Sequence, residues 1–300
     1  MAYRGRFAPS PTGPLHFGSL IAAVASYVDA RAHGGEWLVR IEDLDLARVV
    51  PGTADNILRT LAAFGLHWDA NVVAQSTRSA AYHAALHALR RQGRAYACAC
   101  SRREIADSGL AGIEGYVYPG TCRSGLPAGR IARAWRVDTR GAIVGFEDAI
   151  QAPLEHELEK HVGDFVIYRS DSVYAYQLAV CVDDAEQGIT HVVRGADLIQ
   201  STTRQIWLQR LLGVPTPLYA HCPVAVDMNG EKLSKQTRAK PITPHRATAL
   251  LVAALRFLGQ SAPAGLERES VDAVLGWAIA NWSLEAVPRV ATRAIASDHL

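Results

Sequence analysis

Two short segments about two hundred residues apart carry the residue types that handle phosphate: Pro9-Ser-Pro-Thr-Gly-Pro-Leu-His16-Phe-Gly18-Ser19 near the start, and Lys232-Leu-Ser234-Lys235-Gln236 near the end. In the first, three prolines and a glycine make a stiff turn, and Gly18-Ser19 opens an apolar run, Leu20 to Tyr27, that reads as a helix. The N-terminus of such a helix presents backbone N–H groups and the positive end of its dipole, glycine permits close approach, and His16 stands beside it, which suits a triphosphate. In the second, Asp227-Met-Asn229-Gly230 contains an Asn-Gly turn signal and leads to two lysines with a serine between them. Lysines on a loop of that kind neutralise charge growing on a leaving pyrophosphate.

A third group is the run Cys98-Ala-Cys100 followed by Tyr118-Pro-Gly-Thr-Cys122. Three thiolates and a phenol supply four ligands for tetrahedral zinc. Cys-x-Cys is tighter than the commoner Cys-x-x-Cys, and from spacing alone the three cysteines serve equally as ligands or as ordinary thiols. Cys181 and Cys222 lie in apolar surroundings and read as core. Five cysteines in all, an odd number, fit free thiols or metal ligands in a reducing compartment better than a disulfide set.

These groups need a scaffold. Glu36-Trp-Leu-Val-Arg40-Ile-Glu42-Asp43 alternates as a strand, with Arg40 and Glu42 on one face and Ile41 on the other. Thr53 to Gly65 has helical spacing, with Thr53 as cap and Gly65 as stop, and Ser79 to Gln92 carries Tyr82, Leu86 and Leu89 along one face, with Gly93 after it. From Ala95 to about Gly163 the pattern breaks into short strands with Gly/Pro punctuation, which reads as an insertion. Tyr174 to Asp183 then reads as a buried strand, His191 to Arg194 as another, and Ser201 to Leu212 as a well-capped helix closed by Gly213. The alternation predicts an α/β fold with a parallel sheet. Its expected division is 1–94 and 164–240 as the halves of one catalytic domain, 95–163 as the insertion, and 241–300 as a short helical tail bracing the body.

Composition narrows the class. A chain of 300 residues, 49% of them hydrophobic, buries a substantial core. A formal charge of +2 is compatible with nucleic-acid binding without demanding it. No signal segment or bilayer-spanning stretch is evident, so a cytoplasmic protein with no membrane partner is expected. Arg102, Arg103, Arg123, Arg130, Arg133, Arg136 and Arg140 enrich the insertion in positive charge, consistent with phosphate contacts.

Taken together, Arg6-Phe-Ala-Pro-Ser-Pro-Thr-Gly, Arg40-Ile-Glu-Asp-Leu-Asp45 with Arg48, Tyr176-Gln-Leu-Ala, Val193-Arg-Gly-Ala-Asp197 and Lys232-Leu-Ser-Lys235 resemble the glutamyl-tRNA synthetases of class I over roughly residues 3 to 240. Those enzymes continue into a large helical anticodon-binding region, for which this sequence has no room. The shortness, the His16-Phe-Gly-Ser19 form of the first motif, where the usual class I motif ends in histidine, and the cysteine cluster resemble their truncated paralogues, the glutamyl-queuosine tRNA(Asp) synthetases.

The resemblance implies a Rossmann-like class I sheet with a zinc-bearing insertion. It implies ATP-dependent activation of L-glutamate without prior tRNA binding, and transfer to queuosine in the anticodon of tRNA(Asp). Activation needs a carboxylate to attack the α-phosphorus and expel pyrophosphate, so positioning and charge neutralisation suffice, with no general base. The resemblance assigns Arg6, Ala8, Ser10, Glu42, Tyr176 and Arg194 to glutamate. His16, Gly18, Ser19, Lys232, Ser234 and Lys235 fall to ATP, with His16 and Lys235 as catalytic residues. Cys98, Cys100, Tyr118 and Cys122 fall to one structural Zn²⁺, while Mg²⁺ arrives with ATP. Asp43, Asp45 and Arg48 are expected to hold their loop by mutual pairing. A monomer is expected. The alternatives are a shortened synthetase charging a tRNA 3′ end, a non-catalytic tRNA-binding module, and an adenylate-forming enzyme with another acceptor.

Overall fold

A computed structural model of the chain describes residues 2–233 and 240–295. The first half is β1 (Arg4–Phe7), α1 (Phe17–Ala32), β2 (Glu36–Ile41), α2 (Thr53–Ala63), β3 (Val73–Ala74) and α3 (Ser79–Arg91). β1 pairs with β2 and β2 with β3, all parallel. α1 is apolar almost all round because it is the central helix of the molecule, buried from Leu20 to Ala30 with only Ala22 partly open. α2 starts at the expected residue, but the cap differs: Gly52 is the N-cap and no side chain caps the helix, while Thr53 is its first residue. Gly65 and Gly93 follow α2 and α3 with φ of +71° and +68°, a conformation that favours glycine and stops each helix.

The middle segment contains β4 (Ala95–Cys98), α4 (Arg102–Ala106), the short strands β5 (Ala111–Gly112) and β6 (Gly115–Tyr116), β7 (Ala134–Val137), the hairpin β8 (Ile143–Phe146) and β9 (Leu154–Glu157), α5 (Leu158–His161) and β10 (Val166–Tyr168). β7 lies between β4 and β10, antiparallel to both. The chain thus leaves the parallel sheet after α3 and folds a small antiparallel layer before returning.

The second half is α6 (Tyr176–Glu186), β11 (His191–Gly195), α7 (Ile199–Leu212), β12 (Leu218–Cys222) and β13 (Val224–Val226). β11 and β12 are parallel, and β11 lies against β1, where the Thr190 N–H donates to the Arg4 carbonyl at 3.0 Å. The order β3-β2-β1-β11-β12 places the crossover between the two halves at β1 and β11. In an open α/β sheet, the crevice at the carboxyl ends of the strands at such a switch point is where ligands bind.

One expected element is of the wrong type. The apolar run from Tyr174 to Asp183 reads as a strand, yet Tyr176–Glu186 is a helix. A short apolar run does not distinguish a buried strand from a buried helix. Here the run continues through Asp183-Asp184-Ala-Glu to Gly188 at φ +64°, long enough for three turns, and the helix is buried between α3 and α7. Ser201 to Leu212 is helical as expected, starting at Ile199. It is capped by left-handed Gly213 at its C-terminus and by no side chain at its N-terminus.

After Pro241 come α8 (Ala247–Phe257), α9 (Val271–Asn281) and a strand, β14 (Thr292–Ala294), parallel to β13. α8 and α9 pack on α1, so the tail covers the outer face of the central helix. No helix among the described residues is long and apolar enough to cross a membrane.

α6 carries two acidic residues into the interior. Asp183, 0% exposed, accepts from Gln75 Nε2 and the Tyr82 hydroxyl, each at 2.8 Å, and from Arg78 Nε. Asp184 accepts from Arg40 at 2.8 Å and from Arg6 at 3.3 Å. Removing one partner of a buried, paired charge costs about 3–5 kcal/mol. Asp183→Ala is therefore expected to lower the free energy of unfolding measured in urea by about 3–5 kcal/mol, while exposed Glu186→Ala, which removes the outer partner of Arg78, costs less than about 1 kcal/mol.

Candidate functional site

At the carboxyl ends of β1 and β11 lies a cavity of about 630 Å³, lined by Arg6, Ala8, Ser10, Glu42, Tyr176 and Arg194 and also by His16, Gly18, Ser19, Lys232 and Leu233. The two groups of residues that sequence assigned to separate ligands therefore share one chamber. Ser234 and Lys235 lie outside the described residues.

The group of His16, Gly18 and Ser19 is built on the first turn of α1. His16 is the N-cap, and its Nδ1 accepts from the Ser19 N–H at 3.4 Å. Gly18 faces the lysine segment so closely that a Cβ there would lie 3.0 Å from the Leu233 carbonyl oxygen, a reason for glycine at that position. The two segments are also tied beyond the loop, where the Ile242 N–H donates to the Leu15 carbonyl at 3.0 Å. Lys232 Nζ lies 2.5 Å from Asp197 Oδ2. Asp197 stands in the Val193-Arg-Gly-Ala-Asp197 stretch quoted above, where sequence gave it no role.

The other group is a set of buried charges. Arg6 is paired with Asp184, whose carboxyl burial would raise but which Arg6 and Arg40 together hold below the usual carboxylate range. Glu42 faces the cavity, and burial raises its carboxyl despite the opposing pull of Arg40 and Arg6. It would therefore gain from a further cation. Arg40, on the same strand face as Glu42, is 0% exposed and tied to Asp184, Asp183, Glu42 and Gln187. Its task is to hold the acids.

Arg194 differs from these. It is 5% exposed, yet among the described residues no carboxylate lies within ion-pair distance of it. Its Nε donates to His221 Nε2 at 3.0 Å, its Nη2 to Thr202 Oγ1 at 2.9 Å and its Nη1 to the Tyr176 hydroxyl at 3.3 Å. Burial raises the Tyr176 phenol, which keeps it neutral. A guanidinium held by neutral groups at the wall of a cavity can receive an anion. Sequence reasoning missed His221, Thr202 and the residue behind them, Asp148, because no local spacing links them.

Asp45 pairs with Arg48 at 3.0 Å as expected, and also with Arg169 at 3.1 Å, whereas Asp43 accepts from Ser76. Of the seven arginines of the insertion, Arg123, Arg130 and Arg140 are engaged by acids of the same layer, and Arg136 is buried against Cys98 and the Tyr118 ring. Arg102, Arg103 and Arg133 remain exposed. The positive surface is smaller than the count of arginines suggested.

In that layer the thiols of Cys98, Cys100 and Cys122 all lie within 4.8 Å of one another. The Cys100 and Cys122 sulfurs are 3.7 Å apart, close to the separation of about 3.8 Å that tetrahedral Zn–S bonds of about 2.3 Å impose. The Tyr118 oxygen is 3.4 Å from Cys98 Sγ and 3.6 Å from Cys100 Sγ, in place for a fourth donor, and it also accepts from the Cys122 N–H at 2.9 Å. Burial pushes the Cys100 thiol up to about 11 and the Tyr118 phenol up as well, and a bound cation would reverse that preference. The donor set fits a closed tetrahedral site. Cys181 and Cys222 are buried core thiols as expected.

Comparison with known proteins settles the family. The model of the class I tRNA synthetase (E and Q) catalytic domain matches residues 2–111 and 130–250. The chain belongs to this family of class I tRNA synthetases. It is 61% identical over 289 residues to a protein of Dechloromonas aromatica named glutamyl-Q tRNA(Asp) synthetase, covering 96% of each chain. It is 57% identical over 287 residues to one of the same name from Aromatoleum aromaticum, covering 96% of this chain and 91% of that one. In fold, the crystal structure of a glutamate tRNA ligase from Elizabethkingia meningosepticum superposes with a TM-score of 0.80 at 24% identity, over all of this chain and 68% of that one. This synthetase is thus an α/β, class I catalytic fold with a parallel sheet.

The thiol geometry makes a direct prediction. Metal analysis of the purified protein is expected to find about one Zn²⁺ per chain. Cys100→Ser is expected to lose most of it, and a strong chelator to make the segment from Ala95 to Tyr168 more open to proteolysis.

Proposed function

We propose that this synthetase activates L-glutamate with ATP, without needing tRNA for that step, and transfers it to the queuosine base in the anticodon of tRNA(Asp). The observation that carries the proposal is the single chamber lined both by the buried Arg194, which has no carboxylate partner among the described residues, and by the N-terminus of α1. The names of the relatives at 61% and 57% identity support the choice of reaction and acceptor.

In this reading the side-chain carboxylate of glutamate meets the Arg194 fork, with Arg6 and the Tyr176 hydroxyl beside it. The ammonium meets Glu42, the group whose buried carboxyl lacks enough positive charge of its own. Ala8 and Ser10 line the same wall. ATP lies with its phosphates at His16, Gly18 and Ser19, where the helix dipole favours negative charge. The α-carboxylate attacks the α-phosphorus and pyrophosphate leaves, its charge met by Mg²⁺ brought with ATP and by Lys232, Ser234 and Lys235. A hydroxyl of the modified base then attacks the glutamyl carbonyl carbon and AMP departs, giving an ester. Residues 1–94 and 164–240 act as the catalytic body, 95–163 as the insertion that zinc holds through Cys98, Cys100, Tyr118 and Cys122, and 241–300 as a brace.

The test is incorporation of labelled glutamate into tRNA(Asp) with and without queuosine, in the presence of ATP and Mg²⁺. Labelling only of the modified tRNA, surviving removal of the terminal nucleotides, is the expected result. Label lost with those nucleotides indicates 3′ charging, and no label on either tRNA indicates another acceptor or a binding module. Arg194→Ala is expected to weaken glutamate about ten- to a hundred-fold, the value of one charge-assisted hydrogen bond of roughly 1.5–3 kcal/mol, as read by the KM in glutamate-dependent ATP–pyrophosphate exchange.

A further inference from the structure

Arg194 is held from behind by an imidazole, and the imidazole is itself held. His221, at the end of β12, and Thr202, on α7, are both 0% exposed. His221 Nδ1 lies 2.5 Å from Asp148 Oδ2, and its Nε2 is the acceptor for Arg194 Nε. A nitrogen that accepts cannot carry the ring proton, so His221 is neutral with its proton on Nδ1, donated to Asp148. Burial, with the nearby positive charge of Arg194, favours the neutral ring over the opposing pull of Asp148.

Asp148 has no freedom to do otherwise. It lies in the connection between β8 and β9, whose other contacts include Ala149 N–H to the Tyr219 carbonyl and Gln151 Nε2 to the His221 carbonyl. Its Oδ1 accepts three backbone N–H groups, from Ile150 at 3.0 Å, Gln151 at 2.9 Å and His221 at 3.1 Å. Oδ2 is left for the imidazole.

We propose that Asp148 and His221 are positioning residues for amino-acid recognition: they fix one tautomer of the imidazole so that the Nε–Nη2 edge of Arg194 is occupied by neutral acceptors and its remaining edge is presented to a substrate carboxylate. The device keeps the fixed negative charge one imidazole away from the guanidinium. A carboxylate in direct contact with Arg194 would compete with the substrate, whereas a neutral acceptor aims the fork without neutralising it. The inference rests on the reading of Arg194 as the partner of the glutamate side chain.

Asp148→Asn is the informative substitution because the outcome is forced by geometry. The three backbone donors keep the amide oxygen on their side, so the amide nitrogen faces His221 Nδ1 and donates to it. The ring proton must then move to Nε2, where it meets Arg194 Nε–H. The expected result in ATP–pyrophosphate exchange is a glutamate KM raised about ten-fold or more, with KM for ATP and kcat within about two-fold. Nitrogen-15 shifts of the His221 ring are expected to report the Nδ1–H tautomer in the wild type and the Nε2–H tautomer in the variant. His221→Gln, whose amide oxygen can accept from Arg194, should retain more glutamate affinity than His221→Leu, and this pair carries the test if Asp148→Asn does not fold.

A wild-type glutamate KM in Asp148→Asn together with a raised one in Arg194→Ala would overturn the positioning role and leave the reading of Arg194 standing. An unchanged KM in Arg194→Ala would overturn both. Equal losses in His221→Gln and His221→Leu, or a wild-type ring carrying its proton on Nε2, would also count against the proposal.

Discussion

The constraint on which the rest depends is the pair of carboxylates that α6 carries into the interior. Asp183 and Asp184 are consecutive, so they leave the helix about 100° apart and reach different partners. Asp183 draws in Arg78, Gln75 and Tyr82 from around α3, and Asp184 draws in Arg6 from β1 and Arg40 from β2. Charges removed from water are costly unless matched, so these pairs favour the register in which the second half of the chain docks on the first. The same docking brings Arg194 and Tyr176 opposite Arg6 and Glu42, and the cavity exists because the two halves meet there.

Within that frame, the arginines of the site divide by the kind of partner they have. Arg40 and Arg78 are bound to acids and serve the fold, and Arg6 is bound to Asp184 while still lining the chamber. Arg194 is surrounded by a hydroxyl, a phenol and an imidazole. All four guanidiniums keep their charge, since arginine does not deprotonate in proteins. The difference lies in how much of each field is already cancelled by fixed carboxylates, and only Arg194 is left with its charge uncancelled by a direct partner among the described residues. The connection between β8 and β9 supplies the acid one step further back, so the segment inserted between the two halves of the sheet also holds the imidazole that holds Arg194.

The lining around the first turn of α1 is shaped by backbone as well as by the Lys232–Asp197 ion pair. The stiff Pro9 to Pro14 turn delivers His16 as the N-cap of α1, and Gly18 lets the Leu233 carbonyl approach the first turn of that helix. Leu15 and Ile242 close the contact on the far side of the lysine segment. The tail from α8 to β14 then covers α1, which is why a helix that starts at the cavity can be apolar all round.

The sequence alone determined the elements that depend on local signals. Glycines at left-handed positions close α2, α3 and α7, the alternation around Arg40 marks β2, and the motifs that carry the family resemblance include most of the chamber's lining and the three clustered cysteines. It misjudged α6 because its apolar run is short and buried on every side, so neither period was visible in it. It overcounted free positive charge because Glu104, Asp138, Glu159 and Asp164 are close to their arginines only in space or across a turn. What only the tertiary structure decided is which charges cancel. Asp148, His221 and Arg194 are separated by 73 and 27 residues, and hydrogen-bond direction across such distances is a property of packing, not of spacing.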